Sequence, residues 1–474
     1  MVNIYCRVEL KLRELESKLL LAVAAAARGH NVFLGDIAYL CWLAKRSLIA
    51  PGLFHTKDLA PEKLKKEWNN LFRTSGFRVT SLDEESGVLG ASYHSFGRHR
   101  FSEDMIESAD RVLCWGPMDY EGLKEMFPEH VDKFVMTGSP RIDLCRPDLA
   151  GYFKPSMTDA YTGGKPYFLF ASNFASTNGY TPLWKQLEFN RASGRFKGLN
   201  DPDEFSVYTL FSRRLTMMGH YVRAIRMLAK TFPDHCIVIR PHPAEASDAW
   251  RSYIGDLPNV LEVKELSIAH WIREAKVIFQ HGCTTALEAG VVGIPIINFE
   301  PSEAPYSSDQ VYHPLRVGRK VETVEDLVES VKKVISGEWD GRAEDAQNKE
   351  VLRELFHALD GPLASERTVD LWESLPPVES SRETNWTLVR WQIGFWDYVR
   401  RPIAAFLRAL KLYPSRKNDF SHKFPSLSKR ELSDFANRIK SLKKDWKNVR
   451  VEKIGRTGVL VRPPNGSGTE SNTE

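Results

Sequence analysis

Two successive runs of alternating strand-like and helix-like segments predict an α/β chain of two Rossmann-like βα domains facing a cleft, followed by a helical basic tail. Three observations carry this reading. The 474 residues exceed the roughly 100–200 of one ordinary domain. Short apolar runs alternate with amphipathic helical ones, a pattern that calls for parallel strands joined by right-handed crossovers. Charge is also segregated: Arg382–Arg450 carries 17 Lys and Arg against 6 Asp and Glu, while the rest carries 48 against 55. The chain is therefore an acidic body with a basic tail, divided as residues 1–150, 151–381, 382–450 and a mostly flexible 451–474.

In the first domain, VNIYCRVEL is a short apolar strand. The helix after it has Leu15, Leu19 and Val23 at helical spacing and Gly29 as its stop. Asn31–Asp36, Gly76–Glu85, Asp110–Gly116 and Lys133–Pro140 read as further strands. A second series starts at Lys165–Phe174, after the Pro- and Gly-bearing stretch 147–164. It continues with a helix over Ser206–Phe232 and strands at His235–Pro243, Asn259–Val263, Lys276–Gly282 and Ile294–Phe299. Helices at Val324–Ile335 and Leu363–Leu375 complete it. In open sheets of this kind, ligands bind beyond the carboxyl ends of the strands.

Composition narrows the class. Hydrophobic residues at 42% and charged residues at 27% suit a globular chain, and exclude collagen-like, wholly disordered and polytopic membrane proteins. A net charge of +4 is too small to point to nucleic acid. Cys6, Cys41, Cys114, Cys145, Cys236 and Cys283 show no CxxC spacing and sit mostly in apolar runs. They read as reduced core thiols, with neither disulfides nor a zinc site. The start of the chain lacks a signal-peptide pattern, and no apolar run is long enough to span a bilayer. A cytoplasmic location is expected.

Two motifs stand out. In Ile239–Pro243, an Arg and a His leave a strand end flanked by prolines. A guanidinium forks onto phosphate oxygens, an imidazole N–H can donate to another, and the prolines stiffen the loop. A rigid turn with an ion-paired Arg240 and a surface His242 is the plainer alternative. In Gln280–Ile297, a strand ends, His281 and Gly282 turn the chain, and Cys283, Thr284 and Thr285 open a helix. Free amides and the positive helix end make an anion site there, with Glu288 one turn in, able to accept from a ribose hydroxyl. Simple capping by Thr284 or Thr285 needs no ligand. Ser172 and Asn173 end the first strand of the second domain, where they either approach a donor phosphate or form a turn. The segment Thr137–Asp143 reads as structural. No Asp-x-Asp motif stands at a strand end, so no metal or other cofactor is expected.

The acids Asp83, Glu84 and Glu85 end a strand of the first domain, where mutual repulsion would raise at least one pKa towards that of a base. A solvated acidic turn is the alternative. Glu9, Arg13 and Glu14 follow the first strand and reach the same sheet edge as acceptor-side candidates, or else form a plain helix surface.

The stretches VELKLRELESKLLLAVAAAARGHNVFLGD, SLDEESG, CWG, TGSPRIDL, FLFASNF, RPHPAE and CTTALEAGVVGIP resemble, in family order, the bacterial surface carbohydrate biosynthesis proteins. These are glycosyltransferases of the GT-B type. The resemblance covers about residues 2–298 and extends more distantly to capsule Kdo and sialic-acid transferases and to CDP-glycerol glycerophosphotransferases. It implies a nucleotide-sugar donor, CMP-linked by preference, held by His242, Thr284 and Thr285 with Arg240 and Glu288. It also implies a catalytic carboxylate from a paired-acid-plus-Gly motif, matched here by Asp83, Glu84 and Glu85 with Ser86 inserted before Gly87. The implied acceptor is a glycan or glycolipid of capsule or lipopolysaccharide assembly. A CDP-glycerol or UDP-sugar enzyme, or a non-catalytic partner protein, are the alternatives.

The tail supplies a last expectation. Residues 385–413 interleave Trp386, Trp391, Phe395, Trp396, Tyr398 and Phe406 with Arg390, Arg400, Arg401 and Arg408, and Pro402 would kink a helix. Residues 428–450 add Leu432, Phe435, Ile439 and Leu442 at helical spacing. Aromatics and arginines together suit the inner face of an anionic membrane, as a peripheral contact. Docking on the chain's own body, a protein partner or a second copy is the alternative.

Overall fold

The computed structural model describes residues 2–86, 93–154, 156–192, 202–246, 249–304, 313–380, 382–400, 402–403, 406 and 424–464. They divide into two units. The first takes Met1–Ser86, Tyr93–Tyr152 and Arg353–Glu474, and the second is built on Phe153–Leu352.

The first unit holds strands β1 (Asn3–Arg7), β2 (Asn31–Gly35), β3 (Leu53–Thr56), β4 (Arg78–Leu82), β5 (Arg111–Cys114) and β6 (Phe134–Met136). The second holds β7 (Tyr167–Ala171), β8 (Cys236–Arg240), β9 (Val260–Glu262), β10 (Val277–Gln280), β11 (Ile296–Phe299) and β12 (Arg319–Val321). Two more strands, β13 (Arg450–Ile454) and β14 (Gly458–Arg462), return to the first sheet. Its order is β13-β14-β2-β1-β3-β4-β5-β6, and that of the second is β12-β11-β10-β7-β8-β9. All six strands of the second sheet run parallel, as do β1–β6, so each unit is Rossmann-like and the α/β expectation stands.

Strand order fixes where a ligand could sit. In the first sheet the chain leaves β1 for β2 on one side and then crosses to β3 on the other. In the second it leaves β7 for β8 and β9, then crosses to β10. Parallel strands on either side of such a reversal send their loops apart and open a crevice at the carboxyl edge. The two crevices are those at β1/β3 and β7/β10.

The apolar pattern explains the strands. Phe168, Phe170, Ile237, Ile239, Val277 and Phe279 are buried between helices packed on the second sheet, so a near-continuous apolar run is what each strand needs. The first helix, Lys11–Ala27, is buried over Glu14–Ala26, far beyond the stripe that the leucines suggest. It stops at Gly29, whose φ of +95° a side chain would disfavour. β3 escapes sequence reading because LFHT is short and carries a central His. His55 nonetheless lies buried, its Nδ1 3.0 Å from Thr80 Oγ1.

The expected boundaries need correction. The second unit ends at Leu352, not 381, and the chain then returns to the first unit. There Asp143 accepts from the amides of Ala364 and Ser365, both at 2.8 Å, capping the helix Ala364–Ser374. The segment Thr137–Asp143 thus has the structural role expected of it. The end of the chain is not loose from residue 451: β13 and β14 form a hairpin, with β14 antiparallel to β2 (Leu460 opposite Phe33). The hairpin covers what would otherwise be an exposed sheet edge. Its turn needs Gly455, at φ +62° with Ile393 and Asp397 too close for a Cβ. Residues 465–474 lie outside the described part.

Nor is the basic tail a detached appendage. The helix Lys429–Leu442 buries Leu432, Phe435, Ala436 and Ile439, and Arg438 lies 4.3 Å over the Tyr152 ring while donating to the Tyr152 carbonyl. The helix Trp386–Phe395 packs Val389 and Ile393 into the core formed by Tyr39, Leu40, Ile454 and Leu460. Among the described residues, no helix is long and apolar enough to cross a membrane.

Candidate functional site

At the β1/β3 edge of the first unit the loops are tied by buried ion pairs. Glu14, fully buried, accepts from the Glu9 amide at 2.7 Å and from Lys57 Nζ at 3.2 Å. Lys57 also pairs with Glu9 at 2.9 Å, and Arg7 reaches Glu9 at 3.0 Å and Asp58 at 3.5 Å. Glu14 is therefore no helix-surface residue. Its carboxylate fastens the β1 loop to the β3 loop.

The acidic triplet after β4 joins this network residue by residue. Arg100 forks onto Asp83, with Nε and Nη2 each 2.9 Å from a carboxylate oxygen, and its Nη1 reaches Glu85 at 3.1 Å. Lys18 pairs with Glu84 at 2.6 Å, both nearly inaccessible. Arg13 donates to the Glu84 carbonyl at 2.6 Å and lies 3.6 Å from Glu85. Burial pushes the Asp83 carboxyl up to about 6 against the pull of Arg100, with the Asp58 charge adding to the rise. Burial pushes Glu84 the same way, but Lys18 more than offsets it and holds the group low. Glu85 is likewise held low, burial being outweighed by Arg100 and Arg13. Repulsion within the triplet is thus a minor cause, contrary to expectation, since each acid has a cation. Asp83 and Glu84 point into the unit, and only Glu85, with its side chain 38% exposed, meets solvent. Gly87, the end of the motif, lies outside the described residues.

Sequence reading missed Arg100 and Asp119. Arg100 ends the helix Tyr93–Arg100 and has no strand-end position to mark it. Asp119 accepts from the Trp115 amide at 3.0 Å, and burial pushes its carboxyl up to about 7. Its cue was the CWGPMD run, where a helix starts directly after β5.

The second unit is assembled differently. Three adjacent strands, β10, β7 and β8, end in the loops that hold all the donor candidates. Glu245, fully buried, binds two of the loops together. It accepts from Ser172 Oγ at 2.7 Å, the Phe174 amide at 3.0 Å, the His242 amide at 3.0 Å, Asn178 Nδ2 at 3.3 Å and Trp250 Nε1 at 2.8 Å. His281 binds the β7 loop to the β10 loop: its Nε2 accepts from the Asn173 amide at 3.3 Å, and its ring stacks on Phe174 at 4.0 Å. Burial, reinforced by Arg214 and Arg213, holds this imidazole well below its usual range, so it is neutral. Asn173 Nδ2 adds a 3.4 Å bond to the Gly282 carbonyl.

Each donor candidate now has a place. His242 is half-buried, and its Nδ1 accepts from the Ala244 amide at 3.1 Å, which puts the proton of the neutral ring on Nε2. Arg240 does not face the crevice as a phosphate fork. Its guanidinium donates to the carbonyls of Val263 (3.2 Å), Glu265 (2.7 Å) and Leu266, and burial lowers its pKa to about 10. Ser172 is spent on Glu245. Gly282, at φ +80°, makes the sharp turn that lets the Cys283 amide bond Gln280 Oε1 at 2.6 Å. Cys283 Sγ lies 3.2 Å from the Thr285 hydroxyl, which is buried. Thr284 stands at the N-cap of the helix Thr285–Val292, yet its side chain caps none of that helix's amides. Glu288 is buried one turn in. Among the described residues, no group of three or more His, Cys, Asp or Glu is placed to hold a metal.

No family model matches the chain, and no curated protein matches it in sequence. Solved structures do. The wall teichoic acid polymerase TagF aligns at TM-score 0.46 and 10% identity over 78% of this chain and 88% of its own. S. aureus MnaA with UDP aligns at 0.46 and 12% over 88% and 100%. A UDP-GlcNAc 2-epimerase from Neisseria meningitidis bound to UDP-GlcNAc aligns at 0.43 and 12% over 79% and 99%. Likeness at this level extends to neither substrate nor activity.

Proposed function

We propose that the chain is a GT-B glycosyltransferase of bacterial surface-polysaccharide assembly, with the nucleotide-sugar donor on the second unit and the acceptor on the first. One observation carries the reading. At the β7/β10 crevice, Glu245 and His281 lock three loops together, with the His242 ring and the Thr284–Thr285 helix start among them. A preset group of neutral donors at a helix N-terminus suits a phosphate that gains charge as its bond to the sugar breaks. His242 Nε2–H, the Thr284 hydroxyl and the first helix amides would meet that phosphate, and Glu288 the ribose. Arg240 supports the loop rather than the ligand.

On the acceptor side, Glu85 is the carboxylate best exposed to reach a hydroxyl, with Arg100 and Arg13 holding it. Within the triplet, Asp83, at about 6, is the acid nearest to a base's working range. A CMP-activated keto-sugar is the favoured donor. CDP-glycerol or a UDP-sugar comes next, and a non-catalytic partner role follows if none is turned over. A lipid-linked acceptor would bring the chain to an anionic membrane surface.

Thermal unfolding with CMP, CDP, UDP and GDP tests the donor site. A ligand at a hundredfold excess over its Kd adds about 2.7 kcal/mol to stability. A shift with one nucleotide that His242→Ala removes supports the reading, and no shift with any of them overturns it.

A further inference from the structure

The helix Trp386–Phe395 and the turn that continues it to Arg400 have two faces of unlike composition. The inner face fastens them to the first unit. Asn385 caps the helix by accepting from the Leu388 amide at 3.0 Å, Val389 and Ile393 are fully buried, and Asp397, also buried, takes hydrogen bonds from Tyr39 and from the Arg456 amide. Trp396 packs against Trp42 at 5.1 Å. The outer face carries Leu388, Trp391, Phe395, Tyr398 and Val399, every one exposed, with Trp391 at 64% and Tyr398 at 66%. Trp391 and Phe395 lie parallel at 6.0 Å. The spacing of 3 and 4 residues from 388 to 395 sets Leu388, Trp391 and Phe395 in one stripe along the helix, and the wider π-helical turn 396–400 that continues it leaves Tyr398 and Val399 exposed as well.

From this face we propose that the chain docks on an anionic lipid surface through Leu388, Trp391, Phe395, Tyr398 and Val399, on a helix held rigid by Asp397 and Ile393. The proposal rests on the membrane part of the reading above and narrows it to one face. It also removes the other basic stretch from the contact, because the helix Lys429–Leu442 spends its apolar side on the body of the first unit.

Two features select lipid as the occupant over a second copy. The stripe is led by Trp, Phe and Tyr, the residues that settle at the headgroup level, whereas a helix seam between copies is filled by Leu, Ile and Val. The chain that follows, residues 400–423, carries seven Lys and Arg against one acid. That excess complements an anionic leaflet and would set two copies of the same segment against each other.

The test is flotation of the full chain with vesicles of phosphatidylglycerol and phosphatidylcholine, beside vesicles of phosphatidylcholine alone. The comparison is between Trp391→Ser/Phe395→Ser/Tyr398→Ser and Lys440→Glu/Lys444→Glu/Lys447→Glu. The parent is expected to float with anionic vesicles at low salt, and the aromatic variant to lose at least tenfold in binding with an unchanged thermal midpoint. The lysine variant should change less. If the aromatic variant floats like the parent while the lysine variant does not, membrane association stands and this face is overturned. If the parent does not float at all, both fall, while CMP-dependent stabilisation still reports separately on the donor site. A parent that sediments as a dimer, ignores vesicles and becomes monomeric in the aromatic variant assigns the stripe to a second copy instead.

Discussion

At the carboxyl edge of the first sheet, Arg7, Arg13, Lys18, Lys57, Lys65 and Arg100 are matched against Glu9, Glu14, Asp58, Asp83, Glu84 and Glu85, mostly out of water. At the edge of the second, the loops are joined through one carboxylate that five neutral donors satisfy and through one neutral imidazole. Both edges sit at a reversal of strand order, so topology alone does not account for the difference. An edge that balances its own charges holds its side chains in place and offers little net field. An edge joined by one carboxylate whose acceptor sites are already filled by buried donors leaves its helix amides and hydroxyls to answer an incoming anion. Both edges hold their loops in place, and the contrast supports the reading proposed above, in which the second unit takes the anion.

The contrast breaks most severely at Glu245. Replacing it with leucine strips an acceptor from Ser172, Phe174, His242, Asn178 and Trp250 at once. With buried unsatisfied donors costing about 1–3 kcal/mol each, a loss on the order of 5 kcal/mol in urea unfolding is expected. Glu245→Gln, which keeps one acceptor oxygen, should lose less than half as much. Equal losses would mean that the carboxylate does not join the loops.

In the first unit, Lys18→Met leaves Glu84 buried without its cation. A loss of about 3–5 kcal/mol is expected, most of it restored by adding Glu84→Leu, because two apolar groups tolerate that site better than one charge. A double variant no more stable than Lys18→Met would show that the pair is not the balanced unit described here.

Asp119 sharpens the comparison through pH. Its folded-state pKa of about 7 lies above the unfolded value, so the native state keeps the proton longer. The stability this group contributes is complete below about pH 4 and is lost as pH rises through about 7, at up to about 1.4 kcal/mol per pH unit. Between about pH 5 and pH 8 the parent should therefore lose stability more steeply than Asp119→Asn. Parallel curves would remove Asp119 from the buried acids that titrate in this range.

The smallest expected effect belongs to Thr284. Its hydroxyl caps no amide of its own helix, so Thr284→Val should leave the unfolding free energy within about 0.5 kcal/mol of the parent while weakening the preferred nucleotide about tenfold. A destabilised variant with unchanged nucleotide affinity would return the residue to plain capping.

The two sheets were legible because strands buried on both faces must be apolar, and FLFA, CIVIR and VIFQ cannot be mistaken for solvated loops. β3 was not, because four residues ending in His55 and Thr56 give no period. The end of the chain was not legible for another reason: residues from 451 onward are expected to be mostly flexible on composition, whereas KIGRTGVLV holds a hairpin turn at Gly455 that composition does not reveal.

For the sites, residue types and strand ends were readable in one dimension. RPHP, CTT and the acids after β4 all fall where a parallel sheet presents its loops, and this follows from the alternation of strand and helix alone. The partner of each charge was decided only by the tertiary structure. Arg240 turned to the carbonyls of Val263, Glu265 and Leu266, Asp83 was claimed by Arg100, and Glu245 gathered two loops from residues up to 73 positions away. A buried charge takes the nearest well-placed counter-group, because an unpaired one is too costly to keep. Which group is nearest depends on the order in which strands are laid side by side, and no local pattern in the chain encodes that distance.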